Sequence, residues 1–254
     1  MTRETTSDGE LFPAPRSEVF RDHGSFRTRF NFPGRTLPDH DDHGYGPLAT
    51  VVESFMDPGT LIRMHQHRNE EIVSWVPAGV MRHDDREGND LVTDSEHLLV
   101  MNAGRGFWHS EETTADDPPL RMLQLFVRPH SLGLDPNIQH GPLPEPIAND
   151  WRRVFAPADA DHPFTVRNEV DCYDVRLAAG RSAPLPAIEG RHAYVYVFEG
   201  AVEVDFVELA ETESVLWTGG DKDTPVVTAT EDAVVVAFLV DPDAPVTRQG
   251  TIGR

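Results

Sequence analysis

The sequence predicts an all-β chain made of two tandem copies of one β-unit. Segments such as LATVVESFM, EEIVSWV, HLLVMNA, LRMLQLFV, AYVYVFEG, AVEVDFVEL and AVVVAFLV are short, rich in β-branched and aromatic residues, and separated by Gly, Pro and Asp. None has a sustained 3.6-residue period. In AVEVDFVEL, Val202, Val204 and Phe206 alternate with Glu203 and Asp205, as in a strand with one wet face. Gly59 and Gly79 are 20 positions apart, as are Gly180 and Gly200, and LRMLQLFVRP ending at Pro129 is echoed by AVVVAFLVDP ending at Pro242. Two copies account for 254 residues better than one large sandwich does.

Along the chain, residues 1–25 have few periodic apolar positions and carry Pro13 and Pro15, which predicts a flexible or draped arm. The first β-unit follows over 26–135. Residues 136–161 contain Pro136, Pro142, Pro144, Pro146 and Pro157 without a long apolar run and read as a linker. The second β-unit occupies 162–254. The longest purely apolar run is the eight residues Ala233 to Val240, too short for a membrane span, and the polar start MTRETTSDGE is no secretory signal. With the single cysteine Cys172, which cannot close an internal disulfide, these features lead us to expect a soluble protein of the reducing cytoplasm.

Charge excludes more. Asp and Glu number 43 against 22 Lys and Arg, of which only Lys222 is lysine, for a net charge of −21. Such a surface repels phosphate and anionic lipid, so direct nucleic-acid binding is not expected. The lysine-poor acidic composition suggests adaptation to a salty cytoplasm, with stability that rises as salt screens self-repulsion.

Chemistry concentrates in the first copy. On an extended strand His65 and His67 point to one face, about 6 to 7 Å apart along the chain. In AGRGFWHSE, His109 and Glu111 repeat the period of two, so one more imidazole and a carboxylate can face inward from a neighbouring strand. Three His and one Glu suit Fe, Mn, Ni, Cu, Co or Zn and leave coordination positions for water and substrate. Glu71 competes with Glu111 for the carboxylate role, as ligand or as a group behind the ligands.

The run GTLIRMHQHRNEEIVSWVPAG, with MNAGRGFWHSE after it, resembles the pirin family of bicupins in order and interval over approximately residues 28 to 135, and the second half resembles it more weakly. The resemblance implies two cupin barrels of the jelly-roll type, with one metal, most commonly iron, held by His65, His67, His109 and Glu111. It places Glu71 outside the ligand set. It also implies either quercetin 2,3-dioxygenase activity or a co-regulatory role without a substrate.

Counting from Gly180 as from Gly59, Pro186 and Ile188 replace the two histidines and His192 replaces Glu71, and VLWTGGDKD offers no His-Ser-Glu counterpart. The second barrel is therefore expected to lack a metal and to pack against the first. His40 and His43 read as solvated loop residues, His83 as part of a hairpin turn, and His130, His140 and His162 as unpartnered. Cys172 reads as a buried apolar residue, and Arg105, Phe107 and Trp108 as flanking the ligand strand.

Three functions are open at this level. One is a metal-dependent dioxygenase of catechol-like or flavonol-like small molecules, with Glu111 or Glu71 as general base. Another is a non-catalytic metal-dependent protein that binds a protein partner. A third is a metal-dependent isomerase or hydrolase, because cupin barrels host many chemistries.

Overall fold

The structure is a computed structural model that describes residues 9–219 and 224–254. Gly220–Asp223, part of the VLWTGGDKD stretch, lie outside the described residues, as do residues 1–8. Among the described residues no helix is long and apolar enough to cross a membrane. Apart from the short 3-10 turn Pro33–Thr36, the regular structure of the described residues is all strand.

Each half of the chain pairs a seven-stranded with a four-stranded sheet. The first half's large sheet has the order Asn137–Pro142, His97–Asn102, Glu71–Ala78, Leu120–Val127, Leu48–Met56, Phe26–Asn31, Phe20–Asp22, and its small sheet the order Leu61–His67, Phe107–Glu112, Met81–Asp85, Asp90–Thr93. In the second half the large sheet runs Leu11–Ala14, Ser214–Trp217, His192–Glu199, Ala233–Val240, Val170–Leu177, Arg152–Pro157, Thr165–Val166, beside a small sheet of Ser182–Pro184, Val226–Ala229, Ala201–Val204 and Val207–Ala210. The spacing of the repeat glycines has a backbone cause. Gly79 and Gly200 both take left-handed φ, of 90° and 77°. A Cβ there would approach the first residue of the next central strand, meeting the Cα of Leu120 at 2.6 Å and that of Ala233 at 3.0 Å.

The two large sheets pack back to back, so their central strands are buried on both faces. Along Glu71–Ala78, Ile72 and Val76 enter the first barrel's own core, while Val73 and Trp75 join a layer shared with the second half. Along His192–Glu199, Val195 and Val197 face the second barrel's core, and Tyr194, Tyr196 and Phe198 enter the shared layer. This explains why AYVYVF and AVVVAFLV are continuously apolar rather than alternating. Trp75 and Phe198 meet edge-on across the layer at 5.2 Å and 86°.

Three segments differ from expectation. The proline-rich stretch 136–161 contains two strands: Asn137–Pro142 extends the first large sheet beside His97–Asn102, and Arg152–Pro157 pairs with Val170–Leu177 in the second. Pro142 is tolerated because its strand is an edge, where a missing N–H costs no ladder bond. The arm is draped rather than loose, since Leu11–Ala14 pairs with Ser214–Trp217 and supplies the second sheet's edge. In AVEVDFVEL the chain turns at Asp205, whose φ is 51°, so Phe206 is 82% exposed at a hairpin tip.

Charges that border the shared layer are paired. Glu53 is fully buried and accepts hydrogen bonds from Arg29 Nη1 at 2.8 Å, Arg121 Nε at 2.8 Å and the Tyr196 hydroxyl at 3.3 Å. Arg121 also donates to the Phe198 carbonyl at 2.7 Å, tying the two halves together. Removing one partner of such a cluster strands buried charge, a cost of about 3 to 5 kcal/mol. Glu53→Ala should therefore destabilise the protein by that order in urea denaturation, and a loss below about 1 kcal/mol would show that the cluster is dispensable.

Candidate metal centre

The period of two and the pairing of two strands bring the histidines together. His65 and His67 lie on Leu61–His67, which pairs antiparallel with Phe107–Glu112, placing His109 opposite His65 and Phe107 opposite His67. The register shifts between His109 and Glu111, so Glu111, expected as a fourth ligand, lies opposite Ile62 and outside the group of ligand atoms that converge. The rings of His65 and His67 are 4.9 Å apart, those of His65 and His109 4.4 Å, and those of His67 and His109 5.1 Å. One ligand atom from each lies within 4.8 Å of the others, and among the described residues this is the one such group of His, Cys, Asp or Glu.

In each ring Nδ1 is already engaged. His65 Nδ1 is 2.9 Å from the Arg63 carbonyl oxygen and His67 Nδ1 is 2.5 Å from Glu70 Oε1. Both oxygens only accept, so both Nδ1 atoms carry the proton, and in the neutral tautomer that a metal requires each Nε2 presents its lone pair. His109 Nδ1 is 3.3 Å from His83 Nδ1, and His83 Nε2 is 3.2 Å from Asp85 Oδ2. With His83 donating to Asp85, its Nδ1 accepts from His109, whose Nε2 is left free. That Nε2 is buried without a hydrogen-bond partner. A buried, unpartnered ring nitrogen beside two other free Nε2 atoms fits a metal ion.

Electrostatics favours the same state. Burial lowers the pKa of His65 and, more strongly, that of His109, where the neighbouring imidazoles add to the effect. Both rings are therefore neutral, as ligands must be. Glu111 is buried and accepts a 2.7 Å hydrogen bond from Gln124 Nε2 to Oε1. Burial raises its pKa, against the opposing influence of His67 and Gln124, so this carboxylate is a stronger base than an exposed one.

Glu71 does not belong to this group. Its side chain accepts from Arg167 Nη2 at 2.7 Å, the Arg167 backbone N–H at 3.1 Å and Asn102 Nδ2 at 2.5 Å. It shares the strand face of Val73 and Trp75, turned to the second half and away from the barrel core that takes Ile72. The expectation that Glu71 serves the site is thus corrected, and Glu70, one position earlier, holds His67 instead.

His83 also departs from its expected turn position. It lies on Met81–Asp85, opposite Glu111, is buried, and stacks on Phe107 at 5.9 Å and 15°. The signal available was the alternation of His83 and Asp85 on one strand face. Of the flanking residues, Phe107 is buried, Trp108 carries the Arg86 guanidinium 4.0 Å above its ring, and Arg105 pairs with Asp135 on the surface. In the second half, His192 Nδ1 is 2.5 Å from the Tyr45 hydroxyl of the first half, and Ile188 packs against the barrel core.

Residues 24–127 match the family model described as Pirin, and residues 153–240 match the Quercetinase C-terminal cupin domain. A Pseudomonas aeruginosa protein named "Putative quercetin 2,3-dioxygenase" is 30% identical over 222 residues, covering 86% of this chain and 94% of that protein. A pirin-like protein of Caulobacter vibrioides is 28% identical over 87% of this chain and 94% of its own. The fold is also that of the Escherichia coli pirin YhhW crystallised with nickel(II), at TM-score 0.75 and 20% identity, covering 91% of this chain and 98% of that one.

One transition-metal ion per chain should be found by elemental analysis after loading, and His109→Ala should bind it far more weakly. Glu71→Gln should leave the ion bound while lowering stability through Arg167. Loss of metal from Glu71→Gln with retention in His109→Ala would overturn this site.

Proposed function

Because the chain belongs to the pirin family of bicupins, we propose that it is a metal-dependent dioxygenase of the quercetin 2,3-dioxygenase type, acting on a flavonol-like or catechol-like substrate. The observation that carries this reading is the convergence of the His65, His67 and His109 ring nitrogens on one point, within 4.8 Å of one another. A divalent transition metal bound there, Fe(II) first and otherwise Mn, Ni, Cu or Co, would supply Lewis acidity toward a substrate hydroxyl and redox chemistry toward dioxygen, whereas Zn would supply the Lewis acidity alone.

The chain's own residues supply the rest. His65, His67 and His109 hold the ion, and Glu111 is the fourth ligand or the base beside it. As base, Glu111 takes the proton of the substrate hydroxyl through Oε2, while Gln124 fixes Oε1 and so the carboxylate's orientation. His65 is half-buried whereas His67 and His109 are buried, so substrate approaches from the His65 side. Phe126, 6.1 Å from the His67 ring, and Phe107, 5.8 Å from the His109 ring, form an apolar wall that limits water near the ion.

Oxygen uptake by the metal-loaded protein against a panel of flavonols and catechols tests the proposal. Uptake is expected to accompany loss of the substrate's absorbance, and Glu111→Gln should reduce it by about 10²-fold or more. A fully loaded protein that consumes no oxygen with any member of the panel would favour a non-catalytic metal-dependent interaction protein.

A further inference from the structure

The segment after the last strand returns to the first barrel. It leaves the second half at Asp241, passes Asn168, whose Nδ2 donates to the Pro245 carbonyl at 2.9 Å, and donates from the Thr247 backbone to the Pro129 carbonyl at 3.2 Å. Arg248 pairs with Asp42 at 2.8 Å. Thr251 Oγ1 accepts from the Arg68 backbone N–H at 3.0 Å, and the Arg254 carbonyl accepts from the buried Arg128 Nη2 at 2.6 Å.

Between these anchors the segment meets Glu70. The backbone N–H groups of Ile252 and Gly253 both donate to Glu70 Oε2, each at 2.8 Å, while Glu70 Oε1 accepts from His67 Nδ1 at 2.5 Å. Glu70 is fully buried. Without the two backbone donors, Oε2 would be a buried anionic oxygen with no partner here, a state costly enough to turn the side chain elsewhere. The contact is also tight. A Cβ on Gly250 would lie 2.8 Å from Glu70 Oε2, and one on Gly253 would lie 3.2 Å from the Ala49 Cβ.

The geometry points to residues 250–254 as a positioning element of the metal centre: they lock Glu70, and Glu70 holds His67 in the tautomer and orientation that present Nε2 to the ion. Glu70 is a positioning residue, and the segment acts through it. The inference rests on the metal-site part of the reading above and is independent of which substrate, if any, is oxidised.

Two full-length variants test it. Gly250 does not have a left-handed φ, and a Cβ there would meet Glu70 Oε2 at 2.8 Å and the Gly253 carbonyl oxygen and carbon at 3.0 and 3.2 Å, so Gly250→Ala acts on the contact between this segment and Glu70 from both sides. Glu70→Gln offers one amide oxygen where two carboxylate oxygens now accept. With that oxygen turned to Ile252 and Gly253, the amide NH2 faces His67 Nδ1 and forces the proton onto Nε2, removing the ligand lone pair. Zn(II) titration against a chromophoric chelator should show affinity about 10 to 100-fold weaker in both variants. In the metal-free protein, the His67 Nδ1–H proton resonance, identified by its loss in His67→Gln, should shift in Gly250→Ala and vanish or shift in Glu70→Gln. Melting curves should show both variants folded. If Gly250→Ala and Glu70→Gln bind Zn(II) like the wild type with that resonance unmoved, the inference is overturned while the metal site stands. A wild-type protein that takes up no Zn(II) overturns the site reading as well.

Discussion

Burial of both large sheets on both faces is the constraint on which the rest of the structure depends. Once Tyr194, Tyr196, Phe198 and Phe238 pack against Val73, Trp75, Leu123 and Leu125, each central strand divides its residues between a shared layer and its own barrel. Parity then decides which side chains can reach the ion. On Glu71–Ala78, odd positions turn to the partner half and even positions to the first barrel's interior. Glu71 is consumed by Arg167, an ion pair that helps fix one half on the other. The interior face is left for Ile72 and Val76. The second half thereby contributes to the site without providing a ligand: its large sheet backs the sheet beneath the histidines, and the segment beyond it secures Glu70.

Within that frame the site is defined by what holds the back of each ring. An imidazole presents one nitrogen to an ion only when the other carries the proton, and three different acceptors set this here: the Arg63 carbonyl, Glu70 and the His83–Asp85 pair. The acceptors differ in kind. The carbonyl belongs to the same strand as its histidine, Glu70 is fixed by backbone groups from residues 252 and 253, and His83 is itself oriented by Asp85. Such partners tune ligand basicity and hold ring orientation, so changes two contacts away from the ion can matter as much as changes near it.

Much of this was legible in the sequence. The HxH pair and His109 give the three imidazoles because a period of two is a direct consequence of strand geometry, whereas Glu111, read from the same period, lies beyond a register shift and outside the group of three. Gly79 and Gly200 mark the two-unit organisation because a left-handed turn against a neighbouring strand excludes a side chain there. Other features depended on tertiary context. Glu70 and Glu71 are adjacent identical residues, and only the start of the strand decides which turns to the back of His67. His83 reaches His109 through pairing between its own strand and Phe107–Glu112, which no local spacing encodes. The edge strands Leu11–Ala14 and Asn137–Pro142 contain proline and little alternation, so they read as arm and linker until a partner sheet is supplied. Contacts between residues 250–254 and Glu70 span about 180 positions and left no local sign.

The central claim is that three imidazoles, each through Nε2, hold one ion. X-ray absorption at the zinc edge of protein loaded with a single Zn(II) tests it most directly. The account predicts three imidazole nitrogens at about 2.0 to 2.1 Å, with the multiple scattering of histidine rings, falling to two in any species retained by His109→Ala. A shell of oxygen ligands alone, or an imidazole count unchanged by that substitution, would contradict it.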